Sequence, residues 1–234
     1  MPDIDTIIAN AEAWTDEAFP EWEALYRISD PNIEWVRANE AFPASDGYTL
    51  WKESGPNVHD ITQGNVGNSW LLASISSIAE DPQRIKDMFG QHTLNDAGIY
   101  TVNLFSLGVP VTVVIDDFIP INNGVTEWVD SLIPPTEDKE LWPVLLQKAF
   151  AKLSGTYKSI KNEMNPVKSV EALTGAPGSY TVHASTCVRN LYRSLEKADQ
   201  NQSIMTAMSF TKANDLVMYQ NYTILKVFSL PDGQ

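Results

Sequence analysis

The spacing of apolar residues changes period several times along the chain, and each change marks an element. Near Ile4 to Trp14 a short helix-like segment opens a stretch with little further periodicity. From Ser69 onward the apolar positions Leu72, Ile75 and Ile78, with Trp70 and Leu71 beside them, predict a helix buried on most faces and ended before Pro82. Gly64 and Gly67 supply the turn that feeds it. Residues 98–121 alternate or run β-branched and apolar, and Gly108-Val109-Pro110 is expected to break them into two strands of a hairpin. Residues 140–160 return to helical spacing through Leu141, Val144, Leu145, Lys148, Ala149 and Leu153, with Gly155 near the end. Gly175, Ala176, Pro177 and Gly178 read as a hinge, followed by a helix over 187–198 and strands over 203–210 and 222–230. The pattern predicts an α+β fold in three parts. Residues 1–62 are an arm packed on the core, 63–177 a helical first unit with a small antiparallel sheet, and 178–234 a β-rich second unit with too few strands to close a sheet.

Composition narrows what such a fold can do. With 43% hydrophobic residues in 234, the chain can bury a sizeable core. Its 16 Lys and Arg against 30 Asp and Glu give a formal charge of −14, which repels phosphate backbones and anionic lipid. Nucleic-acid and membrane-surface roles are therefore disfavoured, and basic partners or cations suit it better. Cys187 is the lone cysteine, so neither an intramolecular disulfide nor a cysteine zinc site can form. The first residues lack the basic start and apolar run of a signal peptide, and no stretch approaches the roughly 18 apolar residues of a membrane span. A soluble cytoplasmic protein is expected. There is no internal repeat and no low-complexity tract.

Residues 63–81, QGNVGNSWLLASISSIAED, join a glycine-rich turn to a helix whose first position is Ser69. A helix N-terminus carries roughly half a positive charge and favours an anionic nucleophile there. A hydroxyl is far less acidic than a thiol, so a serine at this point needs a general base.

In this loop and in several later motifs the chain resembles the protease core of the calpain family. The resemblance rests on Gln63-Gly64-Asn65-Val66-Gly67-Asn68-Ser69-Trp70, on Val113-Val114-Ile115-Asp116-Asp117, on Glu140-Leu141-Trp142, on residues 145–152 (LLQKAFAK) and on Leu173-Thr174-Gly175. Phe19-Pro20 and Glu34-Trp35 look like the family's lead-in. It covers residues 14 to 180 well and the remainder poorly. The implied fold is a papain-like core, and the implied chemistry is attack by a cysteine whose proton goes to a histidine oriented by an asparagine.

Carried over residue by residue, the resemblance places Gln63 at the oxyanion-stabilising glutamine, Ser69 at the nucleophilic cysteine and Gln220 at the histidine. Glutamine has no proton affinity near neutral pH. The orienting asparagine would fall beyond residue 234, and the substrate-cleft Ser-Gly-Gly appears as Lys161-Asn162-Glu163. His59, His92 and His183 read as surface or supporting histidines, and Cys187 as a packed small side chain rather than a displaced nucleophile. The catalytic positions are therefore expected to be inactive.

The resemblance also implies a calcium site: carbonyl oxygens of Glu53 and Gly55 with the carboxylates of Asp60 and Glu140. Alternatively, Asp60 and Glu140 are ordinary surface acids, or pair with a lysine in a site that no longer closes. The expected function is a pseudoprotease scaffold that binds other proteins, with no small-molecule substrate. Its interface is either the former cleft or the arm bearing Trp14, Trp22, Trp35 and Trp51. Calpain-like proteins without catalytic residues include cytoskeletal and flagellar components, which by analogy adds the cytoskeleton, cilium or flagellum to the expected locations. The competing readings are a residual calcium-dependent peptidase using Ser69 with His59 or another base, and a regulatory subunit. A neighbouring chain adding a strand to the second unit is a further expectation.

Overall fold

The computed structural model describes residues 2–25, 33–42, 44–61, 67–122, 139–161, 165–212 and 216–229. In chain order the helices are α1 (Ile4–Ala9), α2 (Glu21–Ala24), α3 (Ala38–Ala41), α4 (Ser69–Ile78), α5 (Pro82–Lys86), α6 (Trp142–Leu153), α7 (Pro166–Thr174) and α8 (Val188–Gln200). The strands are β1 (Ile33–Arg37), β2 (Ile99–Ser106), β3 (Val109–Asp116), β4 (Phe118–Asn122), β5 (Thr206–Met208) and β6 (Asn221–Thr223).

Helix α4 is the axis, and every one of its residues is buried, which is why its sequence is apolar on most faces. Its serines are accommodated by local bonding: Ser74 Oγ donates to Trp70 O at 3.1 Å and lies 2.7 Å from Ser169 Oγ on α7. Pro82 does more than follow the helix. Asp81 accepts a hydrogen bond from Gln83 N and caps α5, in which Pro82 holds the first position. Helix α6 packs beside α4, with Trp70 edge-on to Phe150 at 5.7 Å and Trp70 Nε1 donating to Ile160 O at 2.8 Å.

Strands β2 and β3 form the predicted antiparallel hairpin, but the turn is Leu107-Gly108, both at positive φ, and Val109 and Pro110 already belong to β3. Two consecutive positive-φ residues match the twist of a two-residue hairpin turn. The run does not end with the hairpin. After Asp116 the chain turns, and β4 pairs antiparallel with β1, Trp35 opposite Pro120. The 1–62 segment thus contributes a strand as well as Phe19, Ala24, Leu25 and Leu50 to the main core.

Buried charges hold this junction. Lys148 on α6 is fully buried, pairs with Asp116, donates to Phe118 O and lies 4.7 Å from the Trp35 ring. Burial pulls the Lys148 pKa down while Asp116 opposes the shift. Lys152 pairs with Asp16 at 2.6 Å, and Asp16 N donates to Asp116 Oδ2 at 2.7 Å. Arg37 pairs with Asp117 at 2.6 Å and donates to Trp14 O at 2.7 Å. One connected set of charges therefore ties the segment carrying Asp16 and Arg37 to the hairpin and α6.

The stretch expected to be a hinge begins at the C-terminal cap of a helix, and Ala176, Pro177 and Gly178 after it have no regular structure. Asn165 caps α7, Pro166 takes its first position, and Gly175 closes it in the left-handed conformation at φ +69°. A β-carbon at Gly175 would meet the Phe105 ring at 2.6 Å, so backbone conformation and contact both require glycine. Beyond it, α8 forms where expected but has no buried residue. Strands β5 and β6 pair antiparallel over three residues each, much shorter than their apolar runs.

Candidate active site

Ser69 occupies the first position of α4, preceded by Asn68, whose carbonyl accepts the first helical hydrogen bonds from Leu71 and Leu72. Asn68 is fully buried and donates through Nδ2 to Gln147 Oε1 at 2.9 Å, while Gln147 donates to Pro143 O at 3.3 Å. The base of the site is thus built by a polar chain running into α6. Ser69 itself is 8% exposed.

Across from Ser69 stands β6. The Ser69 Oγ accepts from Asn221 N at 3.3 Å and from Asn221 Nδ2 at 3.4 Å. Asn221 is buried, and its Oδ1, like Asn68 Oδ1, has no hydrogen-bond partner among the described residues. Two further bonds run from the same side of the helix: Thr223 Oγ1 donates to Ala73 O at 2.9 Å, and Met205 N donates to Ser77 Oγ at 3.0 Å. Gln220 is half-buried, and its carbonyl accepts from Ser209 N at 3.0 Å. Gln63 lies outside the described residues, as do Asn162 and Glu163, while Lys161 is exposed.

None of the chain's three histidines hydrogen-bonds to Ser69 among the described residues. His59 is exposed in the short turn Val58–Asp60, and His183 is exposed in His183–Ser185. His92 lies 3.2 Å from Phe89 O and packs against Trp51 at 5.4 Å. Cys187 is exposed at the start of α8, not packed as its residue type suggests.

Sequence reasoning missed Asn221. The available signal was a pair of matching periodicities: Ser69, Ala73 and Ser77 recur at helical spacing on one side of α4, and Asn221 and Thr223 recur at strand spacing on one face of β6.

The four candidate calcium residues divide. Asp60 and Glu140 are both buried, so they are not the surface acids of the alternative reading. Trp142 Nε1 donates to both, at 3.0 Å to Asp60 Oδ2 and 3.1 Å to Glu140 Oε2. Asp60 also accepts from Asn57 N and Asn57 Nδ2, each at 2.7 Å, and Glu140 accepts from Lys52 N at 2.7 Å. Burial, with Asp60 beside it, pushes the Glu140 pKa up to about 7. Glu53 is exposed, whereas Gly55 is buried at φ +83° with Lys86 Nζ and Pro82 packed where a β-carbon would stand. Among the described residues no cluster of three or more His, Cys, Asp or Glu side chains is placed to hold a metal. Two carboxylates sharing one neutral donor fit a divalent cation only if carbonyl oxygens complete the shell. Among the described residues no helix is long and apolar enough to cross a membrane.

Comparison with known proteins agrees with this architecture. The family model for calpain family cysteine proteases matches residues 14–232. Calpain-A of Drosophila melanogaster is 28% identical over 208 residues, which cover 86% of this chain and 24% of that protein. The calpain-2 catalytic subunit of Homo sapiens is 29% identical over 194 residues, 81% of this chain and 26% of the relative. The calpain-type cysteine protease DEK1 of Zea mays is 32% identical over 186 residues, 74% of this chain and 8% of the relative. The chain therefore spans about a quarter or less of the length of these relatives. Mixed helices around small antiparallel sheets, matched from Trp14 almost to the last residue, place the chain in the calpain family of cysteine proteases.

Proposed function

We propose that this calpain-type core is a pseudoprotease, keeping the architecture as a protein-interaction scaffold without peptide hydrolysis. The observation that carries the reading is the partner of Ser69: a carboxamide, Asn221, rather than an imidazole. A serine hydroxyl attacks a peptide carbonyl only when a base removes its proton, and an amide cannot. The motif position assigned to the base, Gln220, is an amide as well. The helix dipole at Ser69 would help a thiol ionise but is far too weak to ionise an alcohol.

The test is calcium-dependent cleavage of fluorogenic casein by this chain and by its Ser69→Ala form. Equal background in both is expected. Cleavage lost on substitution would replace this reading with a residual peptidase.

Calcium belongs to the same proposal. Asp60 and Glu140 would supply carboxylate oxygens and Glu53 and Gly55 carbonyl oxygens, and the ion would compensate the charge that burial makes costly on Glu140. Bound there, it would supply structural cross-linking, not a reacting group. Calorimetry with calcium should give heat and raise the melting temperature, and Glu140→Gln should abolish both; no response in the unsubstituted protein removes the site.

The partners proposed are other proteins, in the cytoplasm and its cytoskeletal or ciliary assemblies. Trp22 is exposed on α2 between Glu21 and Glu23 and is the tryptophan of the 1–62 segment best placed for such contacts. Purification of the native complex, with its proteins identified, tests this assignment; recovery of the chain alone argues against it.

A further inference from the structure

The bonds between α4 and the β5–β6 pair come from one side of one helix. Ser69, Ala73 and Ser77 are spaced four apart, so they stand above one another along α4. Each receives a donor from the second half of the chain: Ser69 Oγ from Asn221, Ala73 O from Thr223 and Ser77 Oγ from Met205 N. Asn221 on β6 and Met205, one residue before β5, are both buried at this seam. A peptide carbonyl approaching Ser69 Oγ from the β6 side would have to displace Asn221.

We propose that Ser69 is the end clasp of a hydrogen-bonded joint that fixes β6 to α4. The inference rests on the non-catalytic reading of Ser69 and gives that residue a different task. A hydroxyl can accept and donate, so either face of the Asn221 amide satisfies it, while the Asn221 backbone N–H is satisfied by the same oxygen.

The test is a double-mutant cycle on the full chain with Ser69→Ala, Asn221→Ala and the pair, read by thermal melting and by amide hydrogen exchange. Each single substitution should lower the melting temperature by about 2–4 °C, and the pair by less than the sum, because both remove the Asn221 Nδ2–Ser69 Oγ bond, while Ser69→Ala alone also removes the acceptor of the Asn221 backbone N–H. In Ser69→Ala the Asn221 amide should exchange at least about tenfold faster, the signature of local opening at β6. Strictly additive melting shifts, or an unchanged Asn221 exchange rate, would overturn the clasp. Should Asn221→Ala fail to fold, the exchange rate in Ser69→Ala decides alone. Casein cleavage on the same samples separates the two claims. Activity lost on Ser69→Ala refutes the pseudoprotease reading, whereas additivity without cleavage refutes only the joint.

Discussion

The carboxylates of Asp60 and Glu140 come from opposite sides of helix α4 in sequence yet share one donor, the indole N–H of Trp142. Backbone and side-chain donors from Lys52 and Asn57 reach the pair as well, but burial and the neighbouring Asp60 favour the protonated form of one carboxyl. That carboxyl is Glu140, with a pKa of about 7 in the folded chain against the ordinary glutamate value of 4.5.

The consequence for stability has a definite sign. Between those two values the unfolded chain has released the Glu140 proton and the folded chain still holds it, so this group's contribution declines as pH climbs through that window. Glu140→Gln removes the penalty. The melting temperature of this variant relative to the unsubstituted protein should therefore be more favourable at about pH 8 than at about pH 5. Scanning fluorimetry at both pH values checks this, and a difference independent of pH contradicts it.

Lys148 is the second place where buried charge governs stability. Lys148→Met leaves Asp116 buried without its cation and should destabilise the fold by about 3–5 kcal/mol in urea unfolding. Adding Asp116→Asn should recover part of that loss, because the orphaned charge goes with it. A single variant as stable as the parent would mean that the pair is not isolated from water.

At Ser69 the prediction concerns chemistry. Ser69→Cys places a thiol at the helix N-terminus but provides no imidazole, so casein cleavage should stay at background. Measured turnover in that variant would show that a thiol at this position suffices for cleavage.

Gly175 offers a conformational test. Gly175→Ala forces a β-carbon into a left-handed backbone and against the Phe105 ring, and should cost about 1–2 kcal/mol or more. Gly155→Ala also has positive φ but meets nothing within 4 Å, so it should cost less. Chemical denaturation of the two variants side by side gives the order.

Much of the architecture was legible because its signals are local. The runs from Ser69 to Ile78 and from Trp142 to Leu153 repeat apolar residues at helical period, and both are helices. The hairpin of β2 and β3 was visible in β-branched alternation, although its turn falls at Leu107-Gly108. Strand β1 was not visible: Ile33 to Arg37 is too short to show a period, and it becomes a strand by pairing with β4. Helix α7 hid behind the prolines and glycines that cap it.

What could be read from residue order alone was the family, the helix that presents Ser69, and the hydroxyl and amide character of Ser69 and Gln220, because those depend on residue type and on spacing within one element. Three-dimensional packing decided that Asn221 is the neighbour of Ser69, that Asp60 and Glu140 are buried around Trp142, and that Asp116 links Lys148 to Asp16 beside the Arg37–Asp117 pair. Those pairings bring together residues far apart in the chain, and burial sets the strength of each charge, so no local pattern of letters encodes them.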